Sequence, residues 1–256
     1  MRLIFLVLFV FVYFTVPAMA EETAINVPDT DVSVQSDDKA SEPKSKSSPW
    51  LAVPMVSSDP KVGTSAGGMV GYLFKLDPDS TSSMLGVGGT YSTTDSLLGG
   101  VFLRTYWDQD SKRFIFFGGG GKIENDYEDF LGSGLPAQTT DNMKVLQARY
   151  LQKVKGKWFA GVKGTYTNYL ISSEDGNVNN ALDSLGLTGF DSVALGLIAM
   201  YDSRNNQNSP SEGIRLNLEN FAYREALGGE ENFDVYTMKY RHYLPHGNGH
   251  VLGLQG

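Results

Sequence analysis

Apolar and polar residues alternate along most of the chain from Pro49 to its end. A period of two marks a strand whose faces meet different surroundings. Eleven stretches read as strands: Trp50 to Val56, Val62 to Leu76, Ser83 to Thr93, Leu97 to Trp107, Arg113 to Ile123, Met143 to Val154, Lys157 to Ile171, Phe190 to Asp202, Ile214 to Tyr223, Phe233 to Tyr243, and a last one from His250. Most run about 10 to 15 residues. Strands of globular domains are nearer 5 or 6, whereas tilted membrane-crossing strands need roughly 9–11.

The faces separate cleanly in several of them. In the second, Val70, Tyr72, Phe74 and Leu76 oppose Met69, Gly71, Leu73 and Lys75. In the fourth, Val101, Leu103 and Trp107 oppose Arg104. In the seventh, Trp158, Ala160, Val162, Tyr166 and Leu170 oppose Lys163, Thr165 and Thr167. In the eighth and ninth, Val193, Leu195, Leu197, Ala199 and Tyr201, then Ile214, Leu216 and Leu218, form the apolar side. If that side meets lipid, Lys75, Arg104 and Lys163 line a lumen, and Asp202 shares their parity. Alternation does not settle the facing of Phe114–Phe117, which four glycines follow.

Connections sort by side. With the first strand rising from the periplasm, the periplasmic gaps are 77–81, 108–112, 155–156, 203–213 and 244–249. The two longest gaps, 124–142 and 172–189, fall on the external side. Outer-membrane barrels have this asymmetry of short inner turns and long outer loops. Aromatics near the strand ends (Trp50, Tyr72, Phe74, Tyr91, Trp107, Trp158, Tyr169, Phe190, Tyr201) suit girdles at the water–lipid boundaries.

Composition agrees. The chain holds 29 glycines, 14 Phe and 13 Tyr at modest hydrophobicity, as a wall with only alternate residues in lipid requires. With no cysteine, disulfides, thiolate chemistry and lipoprotein anchoring are excluded. A net charge of −8 argues against a nucleic-acid surface. Arg2, the apolar run from Leu3 to Val16 and the ending Ala18-Met19-Ala20 make residues 1–20 a cleaved secretory signal peptide. Residues 21–48, rich in Asp, Ser, Lys, Glu and Pro, read as a disordered periplasmic leader, and residues 49–256 as the barrel domain.

Candidate chemistry is sparse. Gly118-Gly119-Gly120-Gly121-Lys122 fails the phosphate-loop pattern, because Ile123 stands where Ser or Thr is required. His242, His246 and His250 are four apart, but Pro245 and Gly247 break the helix that would make them a metal face. The loop acids Glu124, Asp126, Glu128, Asp129, Glu174, Asp175 and Asp183 read as solvated surface ahead of a divalent-cation site. No nucleophile–base pair appears, so neither enzyme, metal nor cofactor is expected.

Tyr201-Asp202-Ser203-Arg204, the following Asn-rich turn with Pro210, Ser211 and Gly213, and the alternating strand after it resemble the bacterial surface antigen barrel. That is the BamA/TamA-type outer-membrane assembly and translocation superfamily. Tyr240-Arg241-His242-Tyr243-Leu244-Pro245 and His250-Val251-Leu252 continue the likeness. The resemblance implies an all-β transmembrane antiparallel barrel of sixteen strands, of which about eleven are present. It also implies a POTRA-less, C-terminally incomplete member, located in the outer membrane of a Gram-negative cell. The implied activity is insertion or translocation of proteins or lipids. Expected partners are outer-membrane lipids, lipopolysaccharide and unfolded outer-membrane or secreted clients. A structural or adhesive surface barrel and a secreted soluble β protein stand as the alternatives.

Overall fold

A computed structural model of the chain describes residues 48–256 except 60, 61, 208, 248 and 249. The expected signal peptide, and the leader up to residue 47, lie outside the described residues. Eleven strands follow one another: β1 (Trp50–Asp59), β2 (Gly63–Phe74), β3 (Ser83–Ser92), β4 (Leu97–Trp107), β5 (Lys112–Tyr127), β6 (Ala137–Lys155), β7 (Trp158–Ser172), β8 (Gly189–Asp202), β9 (Gly213–Tyr223), β10 (Phe233–His246) and β11 (His250–Gln255). They form a single sheet in sequence order, each pair antiparallel, with β1 and β11 at its edges. This is the wall of a partial β-barrel.

The register fixes which side chains share a face. On β8, Leu195 and Leu197 stand exposed while Ala194, Ile198 and Met200 are buried. Following the pairings outward, Leu218, Val162, Leu146, Val101, Val87 and Val70 lie on the same convex face as Leu195 and Leu197. All are exposed. A continuous apolar surface across this many strands exceeds what a soluble monomer shows to water. The alternation expected for the second, fourth, seventh, eighth and ninth strands is the observed one. For β5, the ladder puts Phe114 and Phe116 on the convex side and Arg113, Ile115 and Phe117 on the concave side.

The sheet is strongly curled. Neighbouring strands lie about 4.8 Å apart, so strands three apart in a flat sheet are separated by about 14 Å. Yet Arg113 on β5 donates to Asp202 on β8 at 2.8 Å, and Arg149 on β6 reaches Glu219 on β9 at 3.7 Å. The glycines belong to this curvature. Gly88, Gly100 and Gly119 pair in one row across β3–β5, and Gly68, Gly89, Gly99 and Gly120 in the adjacent row across β2–β5. The Gly118–Gly121 run is therefore mid-strand wall, not a ligand loop.

Several expectations change. The gap expected over 124–142 shrinks to 128–136, because β5 and β6 continue upward as a polar hairpin; it is now shorter than the 203–212 connection on the other rim, so of the two longest connections only 173–188 lies on the side expected to be external. Thr140 donates to Glu124 at 2.7 Å and Gln138 to Asp126 at 2.9 Å, so cross-strand polar pairs carry the ladder beyond the apolar band. The gap at 172–189 contains a helix, α1 (Gly176–Ser184), whose Asp175 cap accepts from the Asn177 N–H at 2.8 Å. Tyr169 and Phe190 are concave, not girdle residues. Their rings lie 5.8 Å apart, and the Tyr169 hydroxyl bonds the buried Asp141 carboxylate.

The other rim keeps its girdle. Trp50 and Tyr72, Trp107 and Tyr150, and Trp158 and Tyr201 pair on the convex face, with centroids 4.9, 6.1 and 5.2 Å apart. All three pairs lie at the rim that holds the 108–111 and 156–157 turns, where an amphipathic ring is most stable in a bilayer. β10 extends to His246, so His246 and His250 face each other across the last hairpin instead of flanking a longer turn.

Candidate functional site

Charge is concentrated on the concave wall. Asp202 ends β8 with its side chain 3 % exposed. Its parity turns it inward while the preceding Tyr201 points out against Trp158. Arg204 reaches back around the turn and grips both carboxylate oxygens, Nε to Oδ1 at 2.9 Å and Nη2 to Oδ2 at 3.0 Å. This is the planar two-point pairing that only a guanidinium supplies. Arg113 adds a second charge to Oδ2 at 2.8 Å and stacks 4.0 Å over the Phe159 ring. One buried carboxylate thus ties β5, β8 and the β8–β9 turn together.

The rest of the motif shapes that turn. The Ser203 N–H donates to the Ile214 carbonyl, and the Ile214 N–H donates back to the Ser203 hydroxyl, both at 2.8 Å. Asn205 Oδ1 accepts from the N–H groups of Ser211 and Glu212. Gly213 has φ 113°, and a Cβ there would lie 2.5 Å from the Ser203 carbonyl oxygen. A side chain is barred on both counts. Pro210 sits in the turn, partly buried, where a missing N–H is harmless.

One layer further along the wall, Lys163 meets Glu219 at 2.5 Å and lies 3.6 Å from the Phe221 ring centroid. Arg149 approaches the other Glu219 oxygen at 3.7 Å. Arg104 lies 5.6 Å from the Tyr106 ring, and its buried Nε has no partner among the described residues. Arg215, Lys239 and Arg241 share the concave parity. In this belt the basic groups outnumber Asp202 and Glu219, although the chain as a whole carries −8. The structure thus brings Arg104 and Lys163 onto the wall, together with Asp202 and Arg204. Lys75 lies past the end of β2, exposed, with Nζ donating to the Pro78 carbonyl at 2.8 Å. It is a turn residue at the rim and not part of the belt.

Sequence reading did not find Arg113, Arg149 or Glu219 as partners of these groups. Arg113 lies 89 residues from Asp202, and only the curl of the sheet joins them. The alternation of Arg215, Asn217 and Glu219 was visible, and an apolar opposite face is the signal that marks all three as inward.

The rim beneath the belt is locked by carboxylates. Asp108, Gln109 and Asp110 are consecutive left-handed residues, with φ 58°, 52° and 59°. Non-glycine residues adopt this region at a cost, so neighbouring groups must hold it. Asp77 Oδ2 accepts from the Asp108 N–H at 2.7 Å, and the Ser80 hydroxyl accepts from the Asp110 N–H at 3.1 Å. Asp110 in turn accepts from the Thr81 N–H and hydroxyl and from Gln207 Nε2 at 2.8, 2.6 and 2.9 Å. Turns β2–β3, β4–β5 and β8–β9 are joined in this way.

The Ser80 hydroxyl, followed by backbone N–H groups, holds the Asp77 carboxyl below the usual carboxylate range. The Ser111 hydroxyl and the Lys112 ammonium do the same for Asp108. A depressed carboxylate contributes stability that is complete above its unfolded value, about 4, and is lost as pH falls through the folded value. Amide exchange at Asp108 and Asp110, corrected for intrinsic rates, is therefore expected to accelerate below about pH 4. Asp77→Ala should make Asp108 exchange fast at neutral pH as well. Unchanged protection at pH 3 would contradict this lock.

The family model described as Omp85 superfamily domain matches residues 81–255. It spans β3 to β11 whole and takes in the charged belt and the Tyr201–Gly213 turn. No curated protein matches the chain in sequence.

Proposed function

Because the chain belongs to the Omp85 superfamily, a family of outer-membrane proteins that insert or translocate other molecules, we propose that it forms an outer-membrane wall assisting insertion or translocation of unfolded protein clients. The observation that carries this reading is the opposition of the two faces. Leu85, Val87, Leu195, Leu197 and Met238 stand exposed on the convex side, while Arg113, Lys163, Asp202 and Glu219 are held on the concave side. Such a wall separates lipid from water, and its concave belt offers charge and hydrogen bonds to a polypeptide in transit.

In this reading the short-turn rim with its Trp and Tyr pairs is periplasmic, and the polar β5–β6 hairpin and α1 face outward. Outer-membrane lipids cover the convex face and lipopolysaccharide surrounds the external rim. The role requires positioning and no bond chemistry, so no catalytic group is assigned. A secretory signal over residues 1–20 supplies the route to the membrane.

The test is a folding assay. The full chain is reconstituted in lipid vesicles, and a urea-unfolded outer-membrane barrel is added. The fraction of client that migrates as folded on unboiled gels is followed in time. The expected result is faster client folding than in empty vesicles or in vesicles holding an unrelated barrel of similar size. Equal rates would overturn the insertion role and leave a structural barrel.

A further inference from the structure

A cavity of about 700 Å³ opens on the convex side of the short-turn rim. Its apolar wall is Leu76, Pro78, Leu103, Trp107 and Phe114; its mouth carries Asp77, Asp79 and Asp108. It exists because β3 starts only at Ser83, so the β2–β3 turn folds over the part of β4 that β3 does not cover. Thr105 lies buried beneath it.

The polar groups at the mouth are not equivalent. Asp77 is fully used, accepting from the N–H groups of Asp79 and Asp108 and from the Ser80 hydroxyl. Asp108 accepts from the Ser111 hydroxyl and pairs with Lys112 at 3.1 Å. Asp79 differs: its carboxylate has no partner among the described residues. Lys112 pairs across the ladder with Trp107 and is one-third exposed, so a second ligand can share its ammonium. The mouth therefore presents a free anion above an aromatic and aliphatic wall, and Lys112, just outside the lining, adjoins it through its pair with Asp108.

We propose that this cavity is a binding site for a zwitterionic glycerophospholipid with a primary ammonium headgroup. The inference rests on the membrane reading above. An acyl chain lies along Leu103 and Phe114, the glycerol region meets Trp107, the phosphate faces Lys112, and the ammonium pairs with Asp79. Anionic lipids are disfavoured, because three carboxylates at the mouth face one lysine. Depth agrees as well: Trp107 and Tyr150 belong to the girdle, which lies at headgroup level.

The chain has three tryptophans, which allows a direct test. A chain with Trp50→Phe and Trp158→Phe keeps only Trp107, and a second chain with Trp50→Phe and Trp107→Phe keeps only Trp158. Each is reconstituted in mixed phosphatidylethanolamine–phosphatidylglycerol vesicles in which one lipid or the other carries brominated chains. Trp107 is expected to be quenched by brominated phosphatidylethanolamine with an apparent affinity about two- to fivefold above that for the brominated anionic lipid, the size of one exposed ion pair. Trp158 should show no preference. Asp79→Asn, which breaks no contact in the fold, should bring the Trp107 ratio to one. Equal quenching of Trp107 by both lipids, or a preference that survives Asp79→Asn, would overturn the site while leaving the membrane reading intact. Absence of quenching at both Trp107 and Trp158 would overturn both.

Discussion

Replacing Asp202 with alanine is expected to destabilise the wall by about 3–5 kcal/mol, because it leaves buried guanidinium groups without their counter-charge. Arg204 and Arg113 both converge on that carboxylate, and the Arg204 side chain is only 5 % exposed. The midpoint of urea unfolding, read as the loss of the fast-migrating band on unboiled gels, measures the effect. Asp234→Ala is the matched comparison. Asp234 pairs with Arg224 at 2.8 Å, but both side chains are 39 % exposed. An exposed pair contributes about 0–1 kcal/mol. Combining Asp202→Ala with Arg113→Met should recover part of the loss, since one uncompensated charge is removed together with its partner. Similar midpoints for Asp202→Ala and Asp234→Ala would show that the Asp202 cluster does not hold the rim.

The second large effect is expected at Gly196. A Cβ there would lie 1.8 Å from the Asn220 carbonyl oxygen and 3.2 Å from Lys163 Cε. At this point the β8–β9 ladder is already altered: the Leu197 N–H donates at 2.8 Å to the Asn220 side-chain oxygen. A methyl group forces the two strands apart and pushes Lys163 from Glu219. Overpacking of this kind costs about 1–3 kcal/mol, with the displaced ion pair adding to it. Gly196→Ala should lower the urea midpoint, whereas Gly176→Ala in α1, with nothing within 4 Å of the added methyl, should not. Equal midpoints would mean that the wall can relax around position 196.

Much of this fold could be read from alternation. All eleven strands are present, and the lipid-side parity of Val70, Val162, Leu197 and Leu216 follows from period two alone. What escaped reading has physical causes. Polarity marks the edge of the apolar band, not the end of a strand, so the Asn125–Thr139 and Asp126–Gln138 pairs of the extended hairpin looked like loop. The helix α1 is nine residues long and polar, too short for a helical period to stand out. Parity was legible at the site, which is why Asp202, Arg104 and Lys163 could be placed on the inner side. Contact was not: whether Arg113 or Arg149 reaches across depends on sheet curl, and curl arises from glycine rows aligned across four strands. Lys75 shows the opposite failure. Its parity is correct, but the strand has ended, and its amine turns onto the Pro78 carbonyl.

One face of this sheet is expected to lie in lipid and the other in water. A chain without cysteine allows single-cysteine labelling with no background. On β7, Thr165 and Thr167 are concave, and Val162 and Tyr166 are convex. Each is replaced by cysteine in turn, reconstituted in sealed vesicles, and exposed to a membrane-impermeant maleimide. Rapid labelling is expected at 165 and 167, and labelling at 162 and 166 only after detergent is added. Equal labelling at all four positions, or the reverse pattern, would contradict this.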